Sequence, residues 1–195
     1  MRYVALGDSY TIGTSVDPPD RWPDQLAARV PELELVGNPA VNGYTSADLI
    51  ARELPLLGRL RPDFVTFLIG VNDVVQGVTD RAYADNVTSI LETLRSSLPP
   101  DRIVAVATPD YTRTPRGADY GDPAQQREAI ERANAVLRDG CDRRGIAFVP
   151  EIFDISRRVV EDPTLVAGDG LHPSASQYRL WVDAIEPVVR ARLRA

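Results

Sequence analysis

The chain has no lysine, and a single cysteine, a single histidine and a single methionine among its 195 residues. One cysteine, Cys141, excludes an internal disulfide and a multi-cysteine metal site. It falls in a predicted helix, where a small semi-buried core residue is expected rather than a reactive thiol. No apolar run approaches the roughly 18 residues of a membrane span, so no membrane span is expected. A secretory pattern is also missing. Met1-Arg2 leads into a short apolar run, Tyr3 to Leu6, followed at once by Gly7-Asp8-Ser9. The expected location is therefore cytoplasmic, unless a leader has been trimmed. The missing lysine makes all 22 basic residues arginine, set against 28 acidic ones for a net charge of −6. That balance argues against nucleic acid as the main partner. Arginine-rich ion pairs that resist heat are one reading of the bias, and a GC-rich coding sequence is the plainer one. The scarcity of histidine has the largest chemical consequence. Any reaction that needs an imidazole base has one candidate, His172.

Short β-branched runs alternate with segments of helical period. Tyr3–Leu6, Glu34–Val36, Phe64–Ile69, Ile103–Ala107 and Ala147–Val149 read as strands buried on both faces. The intervening helices are expected over residues 22–30, 46–57, 83–98, 123–143 and 174–193, with Thr45 or Ser46 as a cap and Pro99-Pro100 as a stop. This alternation predicts one domain over residues 1–195. Its expected fold is a three-layer α/β/α sandwich around a flavodoxin-like five-stranded parallel sheet in the order 2-1-3-4-5. The longest predicted loop, Asp110–Asp122, leaves the carboxyl end of the fourth strand, the edge where ligands bind in such folds. It is a candidate wall or lid.

Four blocks carry residues suited to chemistry. In Gly7-Asp8-Ser9-Tyr10, a serine follows the first strand through a glycine turn. In Asn42-Gly43-Tyr44-Thr45, after the second strand, Gly43 can offer its N–H to a developing oxyanion. In Gly70-Val71-Asn72-Asp73, after the third strand, Asn72 carries amide donors. In Asp169-Gly170-Leu171-His172-Pro173, a carboxylate stands three residues before the only histidine. Each block alone is also explained as a turn or a helix start. Together they supply a nucleophile, a base, an orienting acid and three oxyanion donors at one rim of a doubly wound sheet. These are the parts that acyl transfer to water requires.

In order and context the four blocks resemble those of the SGNH, or GDSL, hydrolase family, from the first strand to the last helix. The resemblance implies a serine esterase with Ser9, Asp169 and His172 as the triad. It implies an oxyanion hole formed by the N–H of Ser9, the N–H of Gly43 and the side chain of Asn72. It also implies hydrolysis of a small-molecule ester through an acyl-enzyme, with no metal or organic cofactor. Tyr10 stands where the GDSL name has leucine, which alters the wall beside Ser9. Asp8, Tyr10, Tyr44, Val71 and Leu171 are candidate substrate contacts, and Tyr44, Tyr111 and Tyr120 can stack on sugar or aryl groups. With no long apolar lid in view, short-chain or soluble esters are favoured. Acyltransferase, thioesterase or lysophospholipase activity on the same site, and a catalytically silent binding module, are the alternatives.

Overall fold

The computed structural model describes residues 1–194. Five parallel strands, β1 (Arg2–Gly7), β2 (Glu34–Gly37), β3 (Phe64–Leu68), β4 (Ile103–Val106) and β5 (Ala147–Val149), form one sheet in the order β2-β1-β3-β4-β5. This is the expected topology.

Side chains alternate across the strands and feed two separate cores. Tyr3 and Ala5 of β1, Phe64 and Leu68 of β3, and Val104 and Val106 of β4 face one layer. Val4 and Leu6, Val65 and Phe67, and Ile103 and Ala105 face the other. The one polar residue inside β3, Thr66, is satisfied by a 2.7 Å hydrogen bond with the Tyr3 hydroxyl.

Among the described residues, nine α-helical segments flank the sheet. They are α1 (Ser9–Ile12), α2 (Trp22–Arg29), α3 (Ser46–Asp48), α4 (Leu57–Leu60), α5 (Val71–Val75), α6 (Asp80–Ser97), α7 (Pro123–Asp142), α8 (Glu151–Arg157) and α9 (Ala175–Leu193). Trp22 and Leu26 of α2 meet Tyr178, Trp181, Ile185 and Val189 of α9 on the first face. Tyr83, Val87, Ile90 and Leu94 of α6 pack with Leu137 and Cys141 of α7 on the second. Cys141 is fully buried, and that burial pushes its thiol up to about 12. It is a core residue, as expected.

Two differences from the sequence reading are informative. The helix expected over residues 46–57 is not one rod. A turn of α-helix at Ser46–Asp48 passes into a π-helical stretch, Leu49–Glu53, then a 3₁₀ turn, Leu54–Leu56, and then α4. Pro55 sits in that 3₁₀ turn and has no N–H for the α-helical ladder. The π-helical register turns Glu53 inward, where it is fully buried. The second difference is α8, which the strand-and-helix reading did not include.

The register sets the stage for the site. Gly7 of β1 lies beside Leu68 of β3, so both strands end at one level. The chain leaves β1 toward β2 on one side and enters β3 on the other. That divergence opens the crevice expected at a topological switch point.

Candidate active site

Ser9 begins α1 immediately beyond β1. Gly7 has φ +151°, and a Cβ there would run into the Leu68 carbonyl oxygen and Thr11 Oγ1, so the turn demands glycine. Asp8 caps α1 by accepting the Tyr10 N–H at 3.0 Å. Ser9 thus opens the first turn of α1, where backbone N–H groups have no intrahelical acceptor.

His172 and Asp169 sit in the loop before α9. Asp169 Oδ2 accepts a 2.6 Å hydrogen bond from His172 Nδ1, which leaves Nε2 as the outward nitrogen. Asp169 Oδ1 accepts the backbone N–H groups of Leu171 and His172, both at 2.9 Å. Partial burial alone would raise the Asp169 carboxyl, but the donors from His172, Leu171 and Ser15 outweigh it. They hold the group well below the usual carboxylate range. The imidazole is also backed by Tyr10, whose ring centre lies 5.2 Å from it at a 53° tilt. Tyr10 in turn stacks on Trp181 of α9 at 6.2 Å. No hydrogen bond joins Ser9 Oγ to His172 among the described residues. Catalytic contacts of this kind are often long before substrate arrives.

The turn after β2 is held by α5. Asn72 Nδ2 donates to the Tyr44 carbonyl at 2.9 Å, and Gln76 Nε2 donates to the Gly43 carbonyl at 3.2 Å. Asp73 is buried and accepts the Ser46 N–H at 2.9 Å and the Ser46 hydroxyl at 2.5 Å. Gly43 itself has φ +84°, a conformation that costs glycine little.

Ser9, Asn42, Gly43, Asn72 and His172 supply the polar lining of one cavity of about 170 Å³. Its apolar lining is Tyr10, Val71, Val75, Leu171, Tyr111 and Tyr120. The last two come from the segment Asp110–Asp122, which forms two 3₁₀ turns, Tyr111–Arg113 and Gly117–Tyr120. Their rings meet edge to face at 5.8 Å, and Tyr111 donates to Gln126 at 2.6 Å. The segment is a wall of the cavity.

Two candidate substrate contacts fall elsewhere. Asp8 is fully buried and lines no part of the cavity. Its carboxylate faces inward because it caps α1 and reaches toward Asn72 Nδ2, 3.4 Å away. Burial pushes it up to about 7. Tyr44 does not line the cavity either, and it contributes its carbonyl to Asn72 instead of its ring to a ligand. Sequence reasoning missed Asn42, Val75, Gln76 and Ser15. Asn42 lies inside one motif block and Val75 two residues past another, so both were within reach. Gln76 and Ser15 act through partners distant in sequence, which no local pattern reports.

A model of the GDSL-like lipase/acylhydrolase family matches residues 5–180. Thioesterase 1/protease 1/lysophospholipase L1 of Escherichia coli (strain K12) is 24% identical over 171 residues, covering 88% of this chain and 74% of that protein. An arylesterase of Vibrio mimicus is 21% identical over 176 residues, covering 88% and 80%. The crystal structure of TesA superposes with a TM-score of 0.79 at 20% identity, covering 98% of this chain and 99% of that one, and so shares the fold. The chain belongs to the GDSL-like lipase/acylhydrolase family, enzymes that hydrolyse ester bonds.

Proposed function

We propose that the chain is a serine-dependent carboxylic ester hydrolase that works through an acyl-enzyme. The observation that carries this reading is the Asp169-braced imidazole of His172 opening on the same cavity as Ser9. In the first step Ser9 Oγ attacks the ester carbonyl and its proton passes to His172 Nε2. Asp169 holds the imidazole in the needed tautomer and stabilises its charged form without taking the proton. The N–H groups of Ser9 and Gly43 and the Asn72 amide stabilise the oxyanion. The ester C–O bond breaks as His172 protonates the leaving alcohol. Water then attacks the acyl-enzyme and gives its proton to His172, which passes it to Ser9 Oγ as the acyl–Oγ bond breaks, releasing the acid and free Ser9.

The cavity opens to solvent, and its size favours small groups beside Ser9. A dry apolar cavity of roughly 150 Å³ accepts a benzene ring, so the space beside Ser9 suits an aryl group or a short acyl chain. The Vibrio mimicus relative is named an arylesterase, which agrees with that size.

A fluorophosphonate probe is expected to label Ser9 and no other residue. Ser9→Ala and His172→Ala should each remove nearly all p-nitrophenyl acetate hydrolysis from a folded protein. Wild-type rates in either variant would end the proposal. In a p-nitrophenyl series from acetate to palmitate, kcat/KM should peak at the short end.

A further inference from the structure

Asp169 accepts a fourth hydrogen bond that the mechanism above does not use. Ser15 Oγ donates to Asp169 Oδ2 at 2.7 Å, on the same oxygen that accepts His172 Nδ1. The two residues come from opposite ends of the chain. Ser15 follows the left-handed cap of α1 at Gly13, two residues along. It has φ +69°, and Arg61 is the only other non-glycine residue with positive φ among those described. A residue with a Cβ is strained in that conformation, and glycine would hold it freely. Ser15 is also exposed, so packing does not dictate its identity. A serine in a place suited to glycine, spending its hydroxyl on the acid that braces the base, is strain located where a site needs geometry.

We propose that Ser15 is a positioning residue, whose hydroxyl fixes the Asp169 carboxylate in the orientation that serves His172. The inference rests on the triad reading given above. Two backbone donors pin Oδ1 from the loop's own side. Among the described residues, only Ser15 ties Oδ2 to the opposite side of the site, to the loop that follows the α1 helix bearing Ser9. The hydroxyl thus links the position of the base to that of the nucleophile. It also withdraws negative charge from the oxygen facing the imidazole. Without it, the carboxylate would hold a protonated imidazole more tightly, so the acid limb of kcat/KM would move to higher pH.

Other groups surround the pair. The Arg116 guanidinium is engaged with Asp119 at 2.8 Å, and its stem lies beside Gly170. Tyr10 and Tyr178 are buried neutral phenols. Asp17 and Asp20 line the hollow next to Ser15.

The test uses Ser15→Gly, Ser15→Ala and Ser15→Asn with p-nitrophenyl acetate, beside Ser9→Ala as the inactive control. Ser15→Gly relieves the backbone and removes the hydroxyl. It should keep or raise the Tm while kcat falls about tenfold, the loss typical of one hydrogen bond to a charged group. KM should hold, and the acid limb should shift upward. Ser15→Ala should show the same kinetic change with a lower Tm. Asparagine tolerates left-handed backbone and carries an amide donor, so Ser15→Asn should recover much of the rate and return the acid limb toward its parent position. Wild-type kcat and an unmoved acid limb in Ser15→Gly and Ser15→Ala would overturn the positioning role while Ser9→Ala stays dead. An active Ser9→Ala would instead strike the triad reading itself.

Discussion

The side-chain amide of Asn72 donates to the backbone carbonyl of Tyr44 at 2.9 Å, tying the first turn of α5 to the turn that carries Gly43. One residue that lines the cavity thus also fixes the segment that carries Gly43, which lines it too. Stabilisation of a developing charge works best when the donors are already in place, because no reorganisation accompanies the reaction.

Replacing Asn72 with alanine is therefore expected to lower kcat by about 10²–10³, with a smaller effect on KM. Steady-state kinetics on p-nitrophenyl acetate read this directly. An unchanged kcat would remove Asn72 from the oxyanion site.

Asp169→Asn keeps the shape of the acid and removes its charge. The amide can then favour the wrong imidazole tautomer, and kcat is expected to fall by about 10⁴. Melting temperature should also fall near neutral pH, because a carboxyl held low in the folded chain contributes stability wherever it is ionised. A variant with more than a tenth of parental turnover would show that the 2.6 Å contact to His172 Nδ1 is structural only.

Glu53 gives a stability effect of opposite sign to the usual carboxylate. Its carboxyl is buried and accepts the Gly7 N–H at 3.0 Å, directly under the turn to Ser9. Burial pushes it up to about 8 from 4.5, and Asp8 beside it is pushed up to about 7 from 3.8. Both groups bind a proton more tightly in the folded chain than in the unfolded one. The stability they contribute is whole below the unfolded values and is lost as pH rises toward 7 to 8. Glu53→Gln cannot ionise. Its Tm should exceed the parent's by several degrees at pH 9, and the gap should narrow steadily down to pH 5. Thermal melts across that range test this, and a gap that does not vary with pH would refute it.

Tyr120 stands half-buried in the apolar lining of the cavity. Cutting it to alanine opens room beyond the short acyl limit. The ratio of kcat/KM for p-nitrophenyl octanoate over acetate should rise at least about tenfold, the low end of what one newly accommodated methylene is worth, about 1–3 kcal/mol. A constant ratio would place the acyl chain elsewhere.

The sheet was legible because its strands are short, apolar on both faces and spaced by helical segments. The site blocks were legible because they stand at strand ends, where topology leaves few other places for them to go. Glu53 was not. A glutamate in an amphipathic stretch reads as solvated, and its burial depends on a π-helical register that local propensity does not encode. Helix α8 was passed over because seven residues give periodicity little to work with. Its clues were charge and proline, with Pro150 before it, Glu151 and Asp154 early, and Arg157 in the last turn. Ser15 illustrates the deepest limit. Its strained backbone is a local fact, but the carboxylate that explains it lies at the far end of the chain.

Ser9 opens the helix after β1 and His172 stands just before α9, so the cavity they share forms only when elements far apart in sequence pack together. The imidazole rests on Tyr10, and Tyr10 on Trp181 of α9. The proposed pairing of nucleophile and base is therefore a reporter of long-range order. Loosening α9 from α2 should cost ester hydrolysis before it costs the sheet.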